Sequence, residues 1–223
     1  MHQHTVRHGG AGFTLIEVLV TLLLLSLLAA AVFPVVTQQV GRGEPAKAAQ
    51  DLSAIRTGIE TFSLNVRPSY PGDLEDLITQ ISTGDNAIRR GSQSDGFATV
   101  DSTRWDGPYI DASVIDGGML VSGFAVPIRD DFTRFDATHN APFGTADFAT
   151  SGTSLFVAVQ LGTPGTQLSA AQFEAINDLV DGEGEPDGPG AGSSWTLGKF
   201  RFDNTLAPAD SIAYYLAVPM EKN

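Results

Sequence analysis

Four carboxylates stand on alternate positions in the run Asp181-Gly182-Glu183-Gly184-Glu185-Pro186-Asp187-Gly188. Oxygen ligands at alternating positions of a glycine-containing loop can wrap a Ca2+ ion. The calcium-loop pattern is incomplete: Pro186 breaks its order, and the twelfth position counted from Asp181 is Gly192 rather than Glu. The run also reads as a solvated acidic loop, so Asp181, Glu183, Glu185 and Asp187 form a candidate calcium set with that loop as the alternative. Little else in the chain has the makings of catalysis. There is no cysteine, which excludes thiol nucleophiles, zinc–thiolate sites and disulfides. Three of the four histidines, His2, His4 and His8, fall in the first dozen residues, leaving His139 as the one later candidate base. His139 reads as a surface or loop residue, no nucleophile–base pair accompanies it, and no catalytic residue is assigned.

The other chemically conspicuous residue is Glu17. It is the single charge in FTLIEVLVTLLLLSLLAAAVFPVV, residues 13 to 36. A helix of that length reaches about 36 Å at 1.5 Å per residue, enough to cross a hydrocarbon core of about 30 Å. A plain membrane anchor is one reading. A secretory signal peptide is another, with Ala29-Ala30-Ala31 as its small-residue cleavage site and a mature protein beginning after Ala31. Neither has a use for a carboxylate that costs roughly 2.5–3.5 kcal/mol to insert in an apolar helix. Glu17 makes sense where a cation neutralises it inside a bundle of such helices.

The residues around Glu17 carry a specific resemblance. Gly12-Phe13-Thr14-Leu15-Ile16-Glu17 resembles the prepilin-type cleavage and methylation motif of type IV pilins and type II secretion pseudopilins. A short polar leader with one arginine, Arg7, precedes it, the long apolar helix follows, and Pro34 stands where many pilins have a helix-kinking proline. The resemblance implies cleavage between Gly12 and Phe13 by a prepilin peptidase on the cytoplasmic side, and N-methylation of the new Phe13 amine. Glycine at the junction leaves no Cβ in the way of a protease. It further implies that Glu17 pairs with the Phe13 ammonium of a neighbouring subunit, which removes the cost of an isolated charge in lipid. The implied partners are further copies of the chain or other pilins, the peptidase and methyltransferase, an inner-membrane assembly platform, and lipid before assembly. The implied location is the bacterial inner membrane, single-pass with the head outside the cytoplasm, and then a periplasmic or extracellular filament. The positive residues point the other way: Arg7 is alone on the cytoplasmic flank, while Arg42 and Lys47 lie beyond the apolar run.

These residues need elements to position them, and 223 residues suffice for one domain with its own core. With 13 Lys and Arg against 26 Asp and Glu, the net charge is -13. That sign repels the phosphates of nucleic acid, so no nucleic-acid partner is expected. Gly41, Gly43 and Pro45 predict an interruption of the helix near 41–45. From Ala46 to Val66 the spacing of Ala48, Leu52, Ile55, Ile59, Phe62 and Val66 predicts a helix with one apolar stripe. Asp73 is placed to cap a short helix carrying Leu74, Leu77, Ile78 and Ile81. Residues 82 to 102 read as a polar loop. The Tyr70-Pro71 turn, that leucine-bearing segment and the Trp105-Asp106-Gly107-Pro108-Tyr109 run together resemble the head of the major type II secretion pseudopilin. Apolar runs predict strands at 119–126, 154–161, 195–202 and 212–218, and Ser169 predicts the start of a helix through Phe173, Ile176, Leu179 and Val180. The fold expected is α+β: a long N-terminal α-helix, membrane-spanning in its first half, packed on a C-terminal antiparallel β-sheet head of pilin-like type. The divisions are a leader at 1–12, a transmembrane and filament-core helix at 13–36, its continuation at 37–66, and the head at 67–223. The C-terminal half departs from the major pseudopilin pattern.

Overall fold

The computed structural model describes residues 14–89, 95–111, 118–121, 126–137, 141–142, 155–163, 165–182, 198–202 and 212–220. Helix α1 runs from Leu15 to Asn65. Three short strands follow, β1 (Tyr70–Pro71), β2 (Asn86–Ile88) and β3 (Asp95–Gly96), with a single 3-10 turn at Glu75–Leu77 between the first two. Helix α2 (Thr99–Arg104) leads to β4 (Met119–Val121), β5 (Val126–Asp136), β6 (Ala141–Pro142) and β7 (Leu155–Leu161). Helix α3 (Ala170–Val180), β8 (Phe200–Phe202) and β9 (Ala213–Pro219) complete the order. The fold is α+β, an apolar N-terminal helix followed by helix and antiparallel sheet, consistent with the pilin-like architecture.

Contacts divide the chain into two compact units, Met1–Gly43 and Glu44–Asn223. In the second unit the predicted stripe of α1 is the spine of the core. Ala48, Leu52, Ile55, Ile59, Phe62 and Val66 are all essentially inaccessible, while Gln50, Ser53 and Thr57 face outward. Burying each of the larger side chains contributes about 1.5–3 kcal/mol, an upper figure because the unfolded chain already hides some of that surface. Gly58 sits mid-helix, where glycine weakens the helix by about 1 kcal/mol. A Cβ there would stand 2.6 Å from Ile110 Cγ2, so the glycine lets the 109–110 segment approach the helix.

The larger sheet has the order β4-β5-β7-β9-β8, with β6 added to β5, and every pairing is antiparallel. Alternation sorts its two faces. Val157, Val159 and Leu161 of β7, with Ala213, Tyr215 and Ala217 of β9, join the core of α1. Ala158, Tyr214 and Leu216 turn to the opposite face and cluster with Phe135 and Ile212. Helix α3 begins with a capping box: Gln172 N–H donates to Ser169 Oγ at 3.4 Å, and Ser169 N–H donates to Gln172 Oε1 at 2.9 Å. Its Phe173 stacks on Phe200 and Phe202 of β8 at centroid distances of 4.7 and 4.2 Å.

Several expectations need correction. The helical backbone does not break at 41–45; it continues to Asn65. A proline removes one N–H bond and two glycines cost about 1 kcal/mol each, which neighbouring turns can carry. The helix expected after Asp73 is one 3-10 turn whose N-cap is Leu74, with no side-chain cap; Asp73, one residue before it, accepts Asp76 N–H on Oδ1 at 3.0 Å. The stretch 82–102, read as loop, holds β2, β3 and the start of α2, and the first two of these form a three-stranded sheet with β1. Of the apolar run 119–126 the described residues are those of β4 and the first of β5, and the run 195–202 holds the strand Phe200–Phe202; residues 122–125 and 195–197 lie outside the described part.

Candidate functional site

The first unit exposes what a globular protein hides. From Leu15 to Val32 every residue of the helix is exposed, and this stretch is long and apolar enough to cross a membrane. Leu15 is 82% exposed and Leu27 64%. An exposed apolar surface of this extent, broken only by Glu17, Thr21 and Ser26, is of the kind that suits lipid or other helices. The two hydroxyl side chains inside the stretch are satisfied within the helix. Thr21 Oγ1 donates to the Val18 carbonyl at 2.9 Å and Ser26 Oγ to the Leu23 carbonyl at 2.8 Å. Hydroxyls bonded to their own helix leave no orphan donor for an apolar medium to penalise.

Thr14 starts this helix. Its carbonyl accepts Glu17 N–H at 3.1 Å and Val18 N–H at 3.2 Å, and its Oγ1 accepts Glu17 N–H at 3.3 Å. The Glu17 side chain lies in the first turn, where a carboxylate is favoured by the free N–H groups of a helix start. It is exposed and is the one charged side chain from Thr14 to Val32. The stretch is an apolar helix with one exposed carboxylate, that of Glu17, near its N-terminal end. Gly12 and Phe13 lie outside the described residues. Pro34 falls in the helical run, with its side chain outside the described part.

The structure places one of the four candidate calcium ligands. Asp181 is the C-cap residue of α3, and its backbone N–H donates to the Asn177 carbonyl at 2.8 Å. Its carboxylate reaches across to the start of β8. Lys199 N–H donates to Oδ1 and Oδ2 at 2.9 and 2.8 Å, and Phe200 N–H donates to Oδ2 at 2.8 Å. Gly198, at φ +73°, makes room: a Cβ there would stand 2.3 Å from Asp181 Oδ2. This carboxylate is thus held by amide donors that tie a helix end to an edge strand, a role that residue spacing alone did not disclose. Glu183, Glu185, Asp187 and His139 lie outside the described residues. Among the described residues no group of three His, Asp or Glu side chains is arranged to hold a metal ion.

The aromatic run Trp105–Tyr109 is structural. Trp105 and Tyr109 meet edge to face at 5.5 Å, Tyr109 meets Phe62 of α1 at 5.5 Å, and the Tyr109 hydroxyl accepts Asn65 Nδ2 at 3.2 Å and Asp106 N–H at 2.9 Å.

Residues 7–33 match the family model described as the prokaryotic N-terminal methylation motif. This is the prepilin-type signal of type IV pilins and pseudopilins, and it supports a precursor of that kind and a structural subunit. The motif and the one apolar N-terminal helix are consistent with membrane anchoring by the N-terminus. Comparison with curated proteins gave no match, and neither did comparison with solved structures.

Proposed function

We propose that this chain is the precursor of a subunit of a type IV pilin-like filament, cut between Gly12 and Phe13 and methylated on the new amine. The observation that carries the reading is the methylation motif matched at 7–33, which overlaps the exposed apolar stretch Leu15–Val32 whose single charge is Glu17. Before assembly, lipid covers that helix. During assembly, copies of the same helix replace lipid, so the apolar surface remains out of water throughout. The exception is Glu17, whose charge needs a cation in the bundle. The Phe13 ammonium of the neighbouring subunit supplies it and sets the axial step between subunits. A prepilin peptidase with its methyltransferase activity processes the chain, and an inner-membrane platform extracts it from lipid. The head then lies in the periplasm or outside the cell.

Of the two filament classes, the type II secretion pseudopilus is favoured. The Tyr70-Pro71 pair in β1, Leu74 and Leu77 at the N-cap and the end of the 3-10 turn, and the Trp105–Tyr109 aromatic corner resemble the pseudopilin head. The test is electron microscopy of sheared surface filaments with mass spectrometry of their subunits, on wild type and Glu17→Val. Wild type yields filaments containing this chain. Glu17→Val is still cleaved, inserts more readily, and yields few or none. Filaments of normal number and length in Glu17→Val refute the pairing. A soluble exported protein starting at Val32 refutes the filament itself.

A further inference from the structure

Beyond Leu15–Val32 the chain hides its large apolar side chains well. Among the described residues of the second unit, the exposed large hydrophobics are Leu64, Val100 and Leu179, at 64, 48 and 55%. Two of the three stand at one corner of the head. Leu64 lies in the last turn of α1 and is followed by the exposed Arg67 and Pro68. Val100 and the exposed Arg104 are four residues apart on α2 and share a face. Two contacts hold this corner together. Arg104 Nη1 donates to the Arg67 carbonyl at 3.1 Å, and the Ser69 hydroxyl donates to Asp101 Oδ2 at 3.5 Å. The corner is an apolar knob with two arginines, on a chain that has 13 basic residues against 26 acidic ones.

A groove of complementary character runs beside α1. It measures about 360 Å³ and is lined by Ala54, Ile55, Tyr109, Ile110, Asp111 and Met119 among others. Gly58, which lets Ile110 approach the helix, sets the position of one wall. Asp51 and Asp111 make the rim acidic. Asp51 is paired with Lys47 on its own helix. Asp111 is exposed, and among the described residues no cation pairs with it.

Knob and groove match in kind: apolar side chains for an apolar floor, and arginine for an unpaired carboxylate. They also face different ways. At 1.5 Å and about 100° per residue, Leu64 stands about 15 Å along α1 from Ala54 and about 80° round it. A copy docked through its groove therefore still offers its knob, and such a head-to-tail contact repeats along an array instead of closing a symmetric pair.

We propose that the Leu64–Val100 knob of one copy seats in the Ala54–Met119 groove of the next, with Arg104 against Asp111, so that the heads as well as the N-terminal helices join successive subunits. The inference rests on the filament reading and adds to it a self-docking surface on the head. The apolar contact supplies the hold, and the exposed charge pair chiefly selects the register.

The chain has no cysteine, so introduced thiols are the only ones present. The full-length Ala54→Cys/Leu64→Cys chain in its native membrane is treated with a short bis-maleimide and run on a denaturing gel beside each single variant. The double variant is expected to give a ladder of dimers, trimers and higher species, and each single variant monomer alone. Adding either Asp111→Arg or Arg104→Asp to the double variant should cut the ladder at least tenfold. Adding both should restore it, which a mere folding defect would not allow. Electron microscopy of the same preparations counts filaments containing the chain. Filaments without a ladder overturn the docking and leave the filament reading standing. Wild-type cells without filaments remove the filament reading, and the docking falls with it. Dimers from a single-cysteine variant reveal a symmetric contact and overturn the docking, as does a ladder indifferent to charge reversal.

Discussion

Asp181→Ala is expected to loosen the join between α3 and β8 whether or not calcium is present. The wild-type carboxylate accepts two backbone N–H groups, those of Lys199 and Phe200. A hydrogen bond to a charged group contributes about 1.5–3 kcal/mol, but water can replace the acceptor at the exposed Lys199 amide. Counting chiefly the half-buried Phe200 amide, the loss is about 2 kcal/mol. Asp181→Asn keeps an oxygen but not the charge, and should cost about half as much. For a unit spanning Glu44–Asn223, each kcal/mol moves Tm by about 2–4 °C, so Asp181→Ala should melt about 4–8 °C lower. Gly198→Ala should destabilise as well, through its positive φ and the clash with Asp181. In an Asp181→Ala background only the φ strain, about 1–2 kcal/mol, remains. The assay is thermal unfolding of the full-length chain by circular dichroism, in chelator and in millimolar calcium. Asp181→Ala melting with wild type in chelator, while losing a calcium-dependent shift that wild type shows, would refute the backbone tie and make Asp181 a metal ligand.

Phe62→Ala, deep in the α1 core, is expected to cost about 3–5 kcal/mol in chemical denaturation; a loss below 1 kcal/mol would mean that the helix does not anchor the head. Gly12→Val should leave the precursor uncut in the membrane, read as an unshifted band on immunoblot, because a Cβ now crowds the cleavage junction. If Asp181, Glu183, Glu185 and Asp187 gather round calcium, the head should melt later with calcium than with chelator, by about 2.7 kcal/mol of added stability at a hundredfold excess over Kd. Magnesium should help less, and an unchanged Tm at millimolar calcium removes the site.

Strong local periodicity made the helices and inner strands legible. The stripe from Ala48 to Val66 follows one helical face, Ser169 and Gln172 spell a capping box, and Leu155–Leu161 and Ala213–Pro219 are apolar runs of strand length. Strand β5 was not legible, because Pro127 and the run Arg129-Asp130-Asp131 interrupt its alternation where the register shifts against β7. The β1–β2–β3 sheet was hidden by strands of two or three residues, shorter than any period can reveal. At the candidate site, Glu17 stood out because one charge in an apolar helix has few explanations. Asp181 was visible as a carboxylate but not as a tie to Lys199 and Phe200, since that contact depends on how α3 and β8 pack.

The most direct test of processing into a filament subunit is the mass of the mature chain's N-terminus, taken from the native membrane fraction. A processed filament subunit is expected to begin at Phe13 and to carry one additional methyl group. A chain beginning at Val32 would place this protein among exported soluble proteins, and one still beginning at Met1 would leave a plain membrane anchor; either contradicts the filament subunit.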